Sequence, residues 1–311
     1  MDQGALEAAL RDAPLAAIAL LFGLVVGSFA NVVIHRLPER RGGPAEADRP
    51  AAPRSLREFF SDVRADFRPD WRSIRSCWSR VAHPRRSRCP LCGAGIRARD
   101  NVPLLSFLLL RGRCRDCRAP ISWRYPAVEA ANGLLWGGLV LAYGATPRTL
   151  VLVPLATALL VLASIDSDIQ QLPDAITVPG VLAGVAASVF TQSSPTKLQA
   201  LGLSLASALG GYLIFASVAL AWQLLRGIEA LGQGDWKMAA MLGAFLGWRA
   251  LLLTTFLAAL AGALAGVALI ASGRGDMQSK LPLGTFLGLA GIAVLFCGDA
   301  LLAWYRGILR V

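Results

Sequence analysis

The sequence predicts an all-α, polytopic membrane protein of about eight transmembrane helices, with a small soluble domain inserted after the first of them. Three observations predict this. Hydrophobic residues fill 55% of the 311 positions, more than one soluble core needs, and they fall in long runs. Basic residues gather in one stretch near the N-terminal side. Inside that stretch lie two Cys-x-x-Cys pairs.

Taken in order, the apolar spans cover residues 14–34, 127–143, 150–165, 175–191, 200–225, 238–248, 250–272 and 284–305, against about 20 residues needed for each crossing. The first is followed by no small-residue cleavage site and reads as a retained helix rather than a signal peptide. The span at 238–248 is short, and a steep half-span or re-entrant segment is tolerable there only if its backbone is buried in protein. The chain accordingly divides into an N-terminal transmembrane helix over 1–36, a basic domain over 37–125 and a transmembrane core over 126–311.

Residues 36–125 hold 21 Arg and no Lys against 9 acids, a net of +12, while the rest of the chain carries a net of −1. The positive-inside tendency places this insert in the cytoplasm and the N-terminus on the opposite side. Counting crossings from there brings Asp166, at the end of the third span, and Asp235, after the fifth, to the cytoplasmic side together. An acid at the end of a membrane helix either caps it toward solvent, or pairs, lines a wet cavity or does chemistry. Two such acids reaching one cavity can share a proton, one acting as base on a water while the other acts as acid, because like charges a few ångströms apart do not both ionise. That is the outline of an aspartyl protease. Asp168 is the rival for the first role, since two residues along a helix it faces elsewhere than Asp166.

Within the insert, Cys89-Pro90-Leu91-Cys92 and Cys114-Arg115-Asp116-Cys117 are separated by 21 residues and offer four thiolates to one tetrahedral zinc ion, in the manner of a zinc ribbon. A reducing cytoplasm disfavours disulfides between them. Four protein ligands leave no open position for water, so this zinc is expected to be structural and not hydrolytic. Cys77, Cys297, His35 and His83 lack ligand spacing and carry no metal assignment. No Gly-x-Gly-x-x-Gly follows a strand in the insert, so a Rossmann cofactor site has no support.

The insert has two further parts. Residues 41–53 are rich in Gly, Pro and Ala and read as a flexible linker. Residues 56–82 place Phe59, Val63, Phe67, Trp71, Ile74, Trp78 and Val81 at helical intervals with arginines between them, and Pro69 is expected to break the helix in two. This amphipathic segment either lies on an anionic lipid surface or packs on the zinc module. Lipid head groups already supply an acidic partner for the basic loop of a membrane protein, so no nucleic acid is expected.

Several motifs together carry a resemblance: Gly27-Ser28-Phe29-Ala30-Asn31-Val32-Val33-Ile34-His35-Arg36-Leu37-Pro38, the two cysteine pairs, Asn101-Val102-Pro103-Leu104-Leu105-Ser106, Arg111-Gly112-Arg113-Cys114, Arg124-Tyr125-Pro126-Ala127-Val128-Glu129, the run from Asp166 to Asp174, and Gly232-Gln233-Gly234-Asp235-Trp236-Lys237. In this order they resemble the bacterial type IV prepilin leader peptidases, which belong to the Gly-x-Gly-Asp membrane aspartyl proteases. The resemblance covers most of the chain. It implies removal of the basic leader from type IV prepilins and type II secretion pseudopilins at the cytoplasmic face of the bacterial inner membrane. It also implies N-methylation of the new N-terminal residue with S-adenosylmethionine.

Carried over motif by motif, the resemblance makes Asp166 and Asp235 the catalytic pair, with Gly232, Gly234, Asp168, Asp174 and Lys237 supporting the catalytic loops. Asn31, Arg36, Asn101, Arg111, Gly112, Tyr125 and Glu129 fall at family positions near the expected methyl-donor site, and each has an equal structural reading. Gly232 and Gly234 lack Cβ atoms and are expected to admit a substrate backbone and unusual dihedrals. Lys237 is either a charge partner or a cytoplasmic anchor, and the anchor is favoured, since a fixed cation would hold Asp235 ionised. The chain departs from the family in residues 39–88, in Ala30 for a usual Leu, and in Leu281-Pro282-Leu283-Gly284-Thr285 where Pro-Phe-Gly-Pro is common. That last loop is also expected to face the site. Two other readings remain: a proton-coupled transporter, which would place acids near the midplane within repeats that this sequence lacks, and a zinc-bearing scaffold for pilus assembly, which would not need Asp166 and Asp235.

Overall fold

The computed structural model describes residues 3–38, 56–66, 69–83, 87–191, 194–227, 231–274 and 281–309. The expected linker at 41–53, and Phe67 of the amphipathic segment, lie outside the described residues. The helices are α1 Gln3–Arg36, α2 Leu56–Asp66, α3 Trp71–Ala82, α4 Leu105–Leu109, α5 Arg124–Tyr143, α6 Pro147–Ile169, α7 Asp174–Thr191, α8 Lys197–Arg226, α9 Gln233–Ala271 and α10 Leu283–Leu309, with a 3-10 turn at Ala98–Asn101. Among the described residues there is no sheet, only two isolated β-bridges.

Six of these helices are long and apolar enough to cross a membrane: α1 from Asp12 onward, and α6 to α10. Every expected span falls within a helix to within one residue, 250–272 passing the end of α9 at Ala271. The span at 127–143 is α5, of 20 residues, which stands outside the six. The spans at 238–248 and 250–272 are two arms of α9, joined at Gly247, whose φ of 76° and ψ of 173° interrupt the helix. Only glycine adopts that conformation without strain. In the first arm Met238, Ala239, Leu242 and Ala244 are fully buried, so the backbone of the short span is enclosed by protein, as the hydrocarbon region demands.

The chain forms two compact units, one of Met1–Leu37 with Trp78–Val161 and one of Pro38–Cys77 with Leu162–Val311. In the first, α1 and α5 pack through glycines: a Cβ added to Gly23 would lie 2.9 Å from the Cα of Gly133, and one on Gly27 would lie 2.9 Å from the Cα of Glu129. Small residues are what let membrane helices approach so closely. Fully buried Asn132 donates to the Gly23 carbonyl at 2.7 Å and accepts from the Thr157 hydroxyl at 2.7 Å, and Thr157 in turn accepts from the Trp136 indole at 2.9 Å. Each polar group in this apolar setting therefore has a partner.

In the second unit α7, α8 and α9 meet in the same manner. A Cβ on Gly184 would lie 2.7 Å from the Ala244 side chain, and one on Gly211 would lie 2.8 Å from the Ala239 carbonyl. Ser204 of α8 donates to the Ala244 carbonyl at 2.8 Å. Thr196 caps α8 by accepting from the Gln199 N–H, and Gly227 ends it in the left-handed conformation at φ 69°. The amphipathic segment does break near Pro69, since α2 ends at Asp66 and α3 begins at Trp71. Its first half, however, packs with the second unit, where buried Phe59 lies against Trp236 with ring centroids 5.5 Å apart. This third arrangement, beside lipid surface and zinc module, depends on residues far apart in sequence.

Candidate active site and metal centre

Asp166 lies in the last turn of α6 and is only 4% exposed, whereas Asp168 is exposed. Of the two rivals, Asp166 is thus the one turned into protein. The helix ends just beyond it, where Gln170 takes a φ of 51° and returns its N–H to the Asp166 carbonyl at 2.9 Å. Pro173 follows and Asp174 opens α7. Asp235 occupies the first turn of α9, its N–H donating to the Gly232 carbonyl at 3.1 Å, where the helix dipole favours an acid.

A third segment completes the site. Thr285, in the first turn of α10, donates its backbone N–H to Asp166 Oδ2 at 2.6 Å, and its hydroxyl lies 3.1 Å from both that oxygen and the Ala163 carbonyl, between which its one proton is shared. Beside it, a Cβ on Gly284 would lie 2.9 Å from Asp166 Cγ and 2.9 Å from Leu172 Cδ1, and a Cβ on Gly234 would lie 2.8 Å from Leu172 Cβ. Leu172 therefore fits between the glycines of α9 and α10, which brings the segment that bears Asp166 and the turn that bears Asp235 to one place. The loop at Leu281–Thr285 does face the site, but the roles of Gly284, Thr285 and Leu172 were missed; the only signal was the departure from the family pattern at that loop.

Two expectations for the glycines need correcting. Gly232 has φ −71° and ψ 146°, an ordinary extended conformation, and Gly234 is helical, so neither uses dihedrals closed to other residues. Gly234 is required by the close approach of Leu172, which takes the space expected to admit substrate. Lys237 is not simply an anchor: its Nζ lies 2.8 Å from Asp66 Oδ1 and 2.9 Å from Asp174.

The four cysteines come together. Their Sγ atoms all lie within 4.8 Å of one another, and those of Cys89 and Cys117 are 3.8 Å apart, which is the edge of about 3.8 Å that a tetrahedron of thiolates about 2.3 Å from zinc would have. The two knuckles are built alike. Cys89 N–H donates to the Ala94 carbonyl and Cys114 N–H to the Ala119 carbonyl, and each loop is closed by an antiparallel bridge, Arg88 with Gly95 and Arg113 with Pro120. The fourth residue after the first cysteine is left-handed in both, Gly93 at φ 70° and Arg118 at φ 61°. Backbone N–H groups of Cys92 and Leu91 bring the Cys89 thiol down to about 6. Cys117 also accepts from the Ala119 N–H, yet burial and the hydrogen bonds shared with Cys92, Cys114 and Cys89 push it up to about 12. Thiols this close do not all ionise without a cation among them, and the donor set fits one. Cys77 and Cys297 stand outside the cluster.

The residues expected near a methyl donor fall in the first unit. Asn31 donates to the Tyr125 carbonyl at 3.0 Å, Arg36 to the Val81 carbonyl at 3.2 Å, and Glu129 accepts from the Leu104 N–H at 2.9 Å. Tyr125 stacks on His35 with centroids 5.1 Å apart, Asn101 ends the 3-10 turn, and Arg111 and Gly112 form a left-handed turn over Phe107.

Two family models match the chain: the bacterial peptidase A24 N-terminal domain over residues 21–143 and the type IV leader peptidase family over residues 153–267. The chain belongs to the type IV leader peptidase family. A prepilin leader peptidase/N-methyltransferase of Burkholderia pseudomallei is 39% identical over 297 residues, covering 94% of this chain and 88% of the relative. Proteins of the same name from Aeromonas hydrophila and Pseudomonas aeruginosa are 38% and 35% identical, covering 93% and 95% of this chain and 92% and 96% of their own lengths. No solved structure matches the chain. The N-terminal family model thus covers the cysteine knuckles, and the leader peptidase model covers both Asp166 and Asp235.

Proposed function

We propose that this chain is a bifunctional membrane enzyme that cuts the basic leader from type IV prepilins and pseudopilins and N-methylates the residue so exposed. The observation that carries the reading is the packing of Leu172 between Gly284, which abuts the Asp166 carboxylate, and Gly234, which directly precedes Asp235, so that the end of α6 and the start of α9 come together beside the first turn of α10. Two carboxylates that reach one site can share one proton. One then takes a proton from the water that attacks the scissile carbonyl, and the other gives its proton to the departing peptide nitrogen. Oδ2 of Asp166 already accepts from Thr285, which leaves Oδ1 to meet the water. Asp168 and Asp174 shape the loop between α6 and α7, and Gly232, Gly234 and Lys237 set the start of α9.

Zinc held by Cys89, Cys92, Cys114 and Cys117 would bind the two knuckles into one module and take no part in hydrolysis, because its four positions are filled. The methyl group would come from S-adenosylmethionine. Asn31, Arg36 and Glu129 already hold backbone groups of their own unit, and Tyr125, Arg111 and Gly112 also make contacts within it, so the seven candidates, Asn101 included, do not by themselves form a cradle for an adenosyl group. The net charge of the insert supports a cytoplasmic zinc module and an inner-membrane location, and the exposed arginines Arg64, Arg72 and Arg75 support contact of the 56–82 segment with anionic lipid. The test is the mass of a candidate prepilin's N-terminus after incubation with membranes carrying this protein and S-adenosylmethionine. Leader loss followed by a gain of one methyl group is expected, and an intact leader overturns the reading.

A further inference from the structure

We infer that Asp66, on the helix contributed by the basic insert, is a positioning residue of the peptidase site and acts through Lys237; the inference rests on reading Asp166 and Asp235 as the catalytic pair. Both of its carboxylate oxygens are engaged. Oδ1 lies 2.8 Å from Lys237 Nζ, and Oδ2 accepts from the Tyr212 hydroxyl at 2.8 Å. The Asp66 and Lys237 side chains are 11% and 12% exposed, whereas Asp174, the other partner of Lys237, is 53% exposed. An exposed pair fixes little, while a shielded pair with its remaining oxygen hydrogen-bonded holds its geometry. Asp66 is therefore the partner that sets where the Lys237 ammonium sits.

That position matters because Lys237 follows Asp235 by two residues on the same helix and leaves it on a different side. Held by Asp66, the cation stays with Asp174, the first residue of α7, and so links the start of α9 to the end of the loop that follows Asp166. Trp236, between Asp235 and Lys237, is 2% exposed and is gripped by the same elements: Phe59 of α2 at 5.5 Å between centroids and Tyr212 of α8 at 5.9 Å. One short helix from the insert thus fixes the two residues directly after a catalytic acid. With asparagine at 66 the Coulombic hold on Lys237 is lost, and the ammonium is left to an exposed partner.

The experiment measures leader cleavage by the full-length protein in membranes for Asp66→Asn, Asp66→Glu, Lys237→Met and the double variant Asp66→Asn with Lys237→Met. Asp66→Asn should lower kcat about ten- to a hundredfold with KM little changed, as a small misplacement of reacting groups does. Asp66→Glu should recover part of the rate. The double variant should be no slower than Lys237→Met alone, because residues acting through one contact are not additive. Metal content and methylation of a pre-cleaved pilin peptide, which belong to the first unit, should stay at the parent level, and the thermal unfolding midpoint of the purified protein should stay within a few degrees of the parent's, which a merely unfolded second unit would not achieve. Parent-level cleavage by Asp66→Asn, losses that multiply in the double variant, or loss of metal and methylation along with cleavage would each overturn the inference. Absence of cleavage by the parent protein, or normal cleavage by Asp166→Asn, fails the catalytic-pair reading and this inference with it, and is told apart because it appears without any change at Asp66.

Discussion

Thr285 aims both its backbone N–H, at 2.6 Å, and its hydroxyl, at 3.1 Å, at one oxygen of Asp166. A residue in the first turn of α10 thereby fixes the rotamer of an acid in the last turn of α6. Removing the hydroxyl while keeping the backbone donor tests the side chain's hold on the end of α6, through Asp166 and the Ala163 carbonyl together. Thr285→Val should slow leader cleavage about tenfold, the usual scale for one hydrogen bond to a charged group, and Thr285→Ser should stay near the parent rate. Steady-state cleavage of a prepilin peptide checks both.

Gly284 offers a steric version of the same test. A Cβ there would lie 2.9 Å from Asp166 Cγ, too close to be borne without moving the carboxylate. Gly284→Ala should lower cleavage about a hundredfold, whereas Gly202→Ala and Gly307→Ala, where an added Cβ meets nothing within 4 Å, should leave it unchanged. Equal rates for all three variants would count against a site built around Asp166.

Asp166→Asn and Asp235→Asn should each abolish cleavage while the protein still inserts, since either change removes half of an acid–base pair. Asp168→Asn, at an exposed position, should be mild. Mass spectrometry of the pilin N-terminus reads all three. An active Asp166→Asn beside an inactive Asp168→Asn would exchange their roles.

Elemental analysis of the purified protein should find one zinc per chain, and Cys→Ser at position 89, 92, 114 or 117 should remove it. Acidification should also release it, because metal binding to thiolates competes with protons. Methylation should suffer more than cleavage, since both acids belong to the other compact unit. Ready alkylation of all four cysteines in the native protein, with no metal found, would refute this.

What the sequence made legible was local or periodic. Asp166 and Asp235 stand in short motifs, the cysteines carry their own spacing, and each apolar span declares itself by composition. The partners of these residues do not. Thr285 lies 119 positions from Asp166, and Tyr212 lies 146 from Asp66, with no pattern to join them. Periodicity marked Phe59 as a residue to be buried, but an apolar stripe names no partner, so its packing on Trp236 could only be seen in three dimensions. The glycines misled for a related reason: Gly234 was read for what its absent side chain would permit a substrate, when Leu172 already occupies the space.

None of the six cysteines is in a disulfide, so no such bond ties the chain. A metal on the paired knuckles would supply the missing crosslink and turn the 21 residues between Cys92 and Cys114 into a ring. Closing a ring of that length removes about 3 kcal/mol of unfolded-state entropy. Inside the ring lie the 3-10 turn, α4 and Leu104, whose φ of 57° is costly for a branched side chain and whose N–H is held by Glu129 at 2.9 Å. Opening the ring with a chelator should therefore release Leu104 from Glu129 while α1 and α5 remain packed, so that amide exchange across residues 98–110 rises well before any membrane helix loosens.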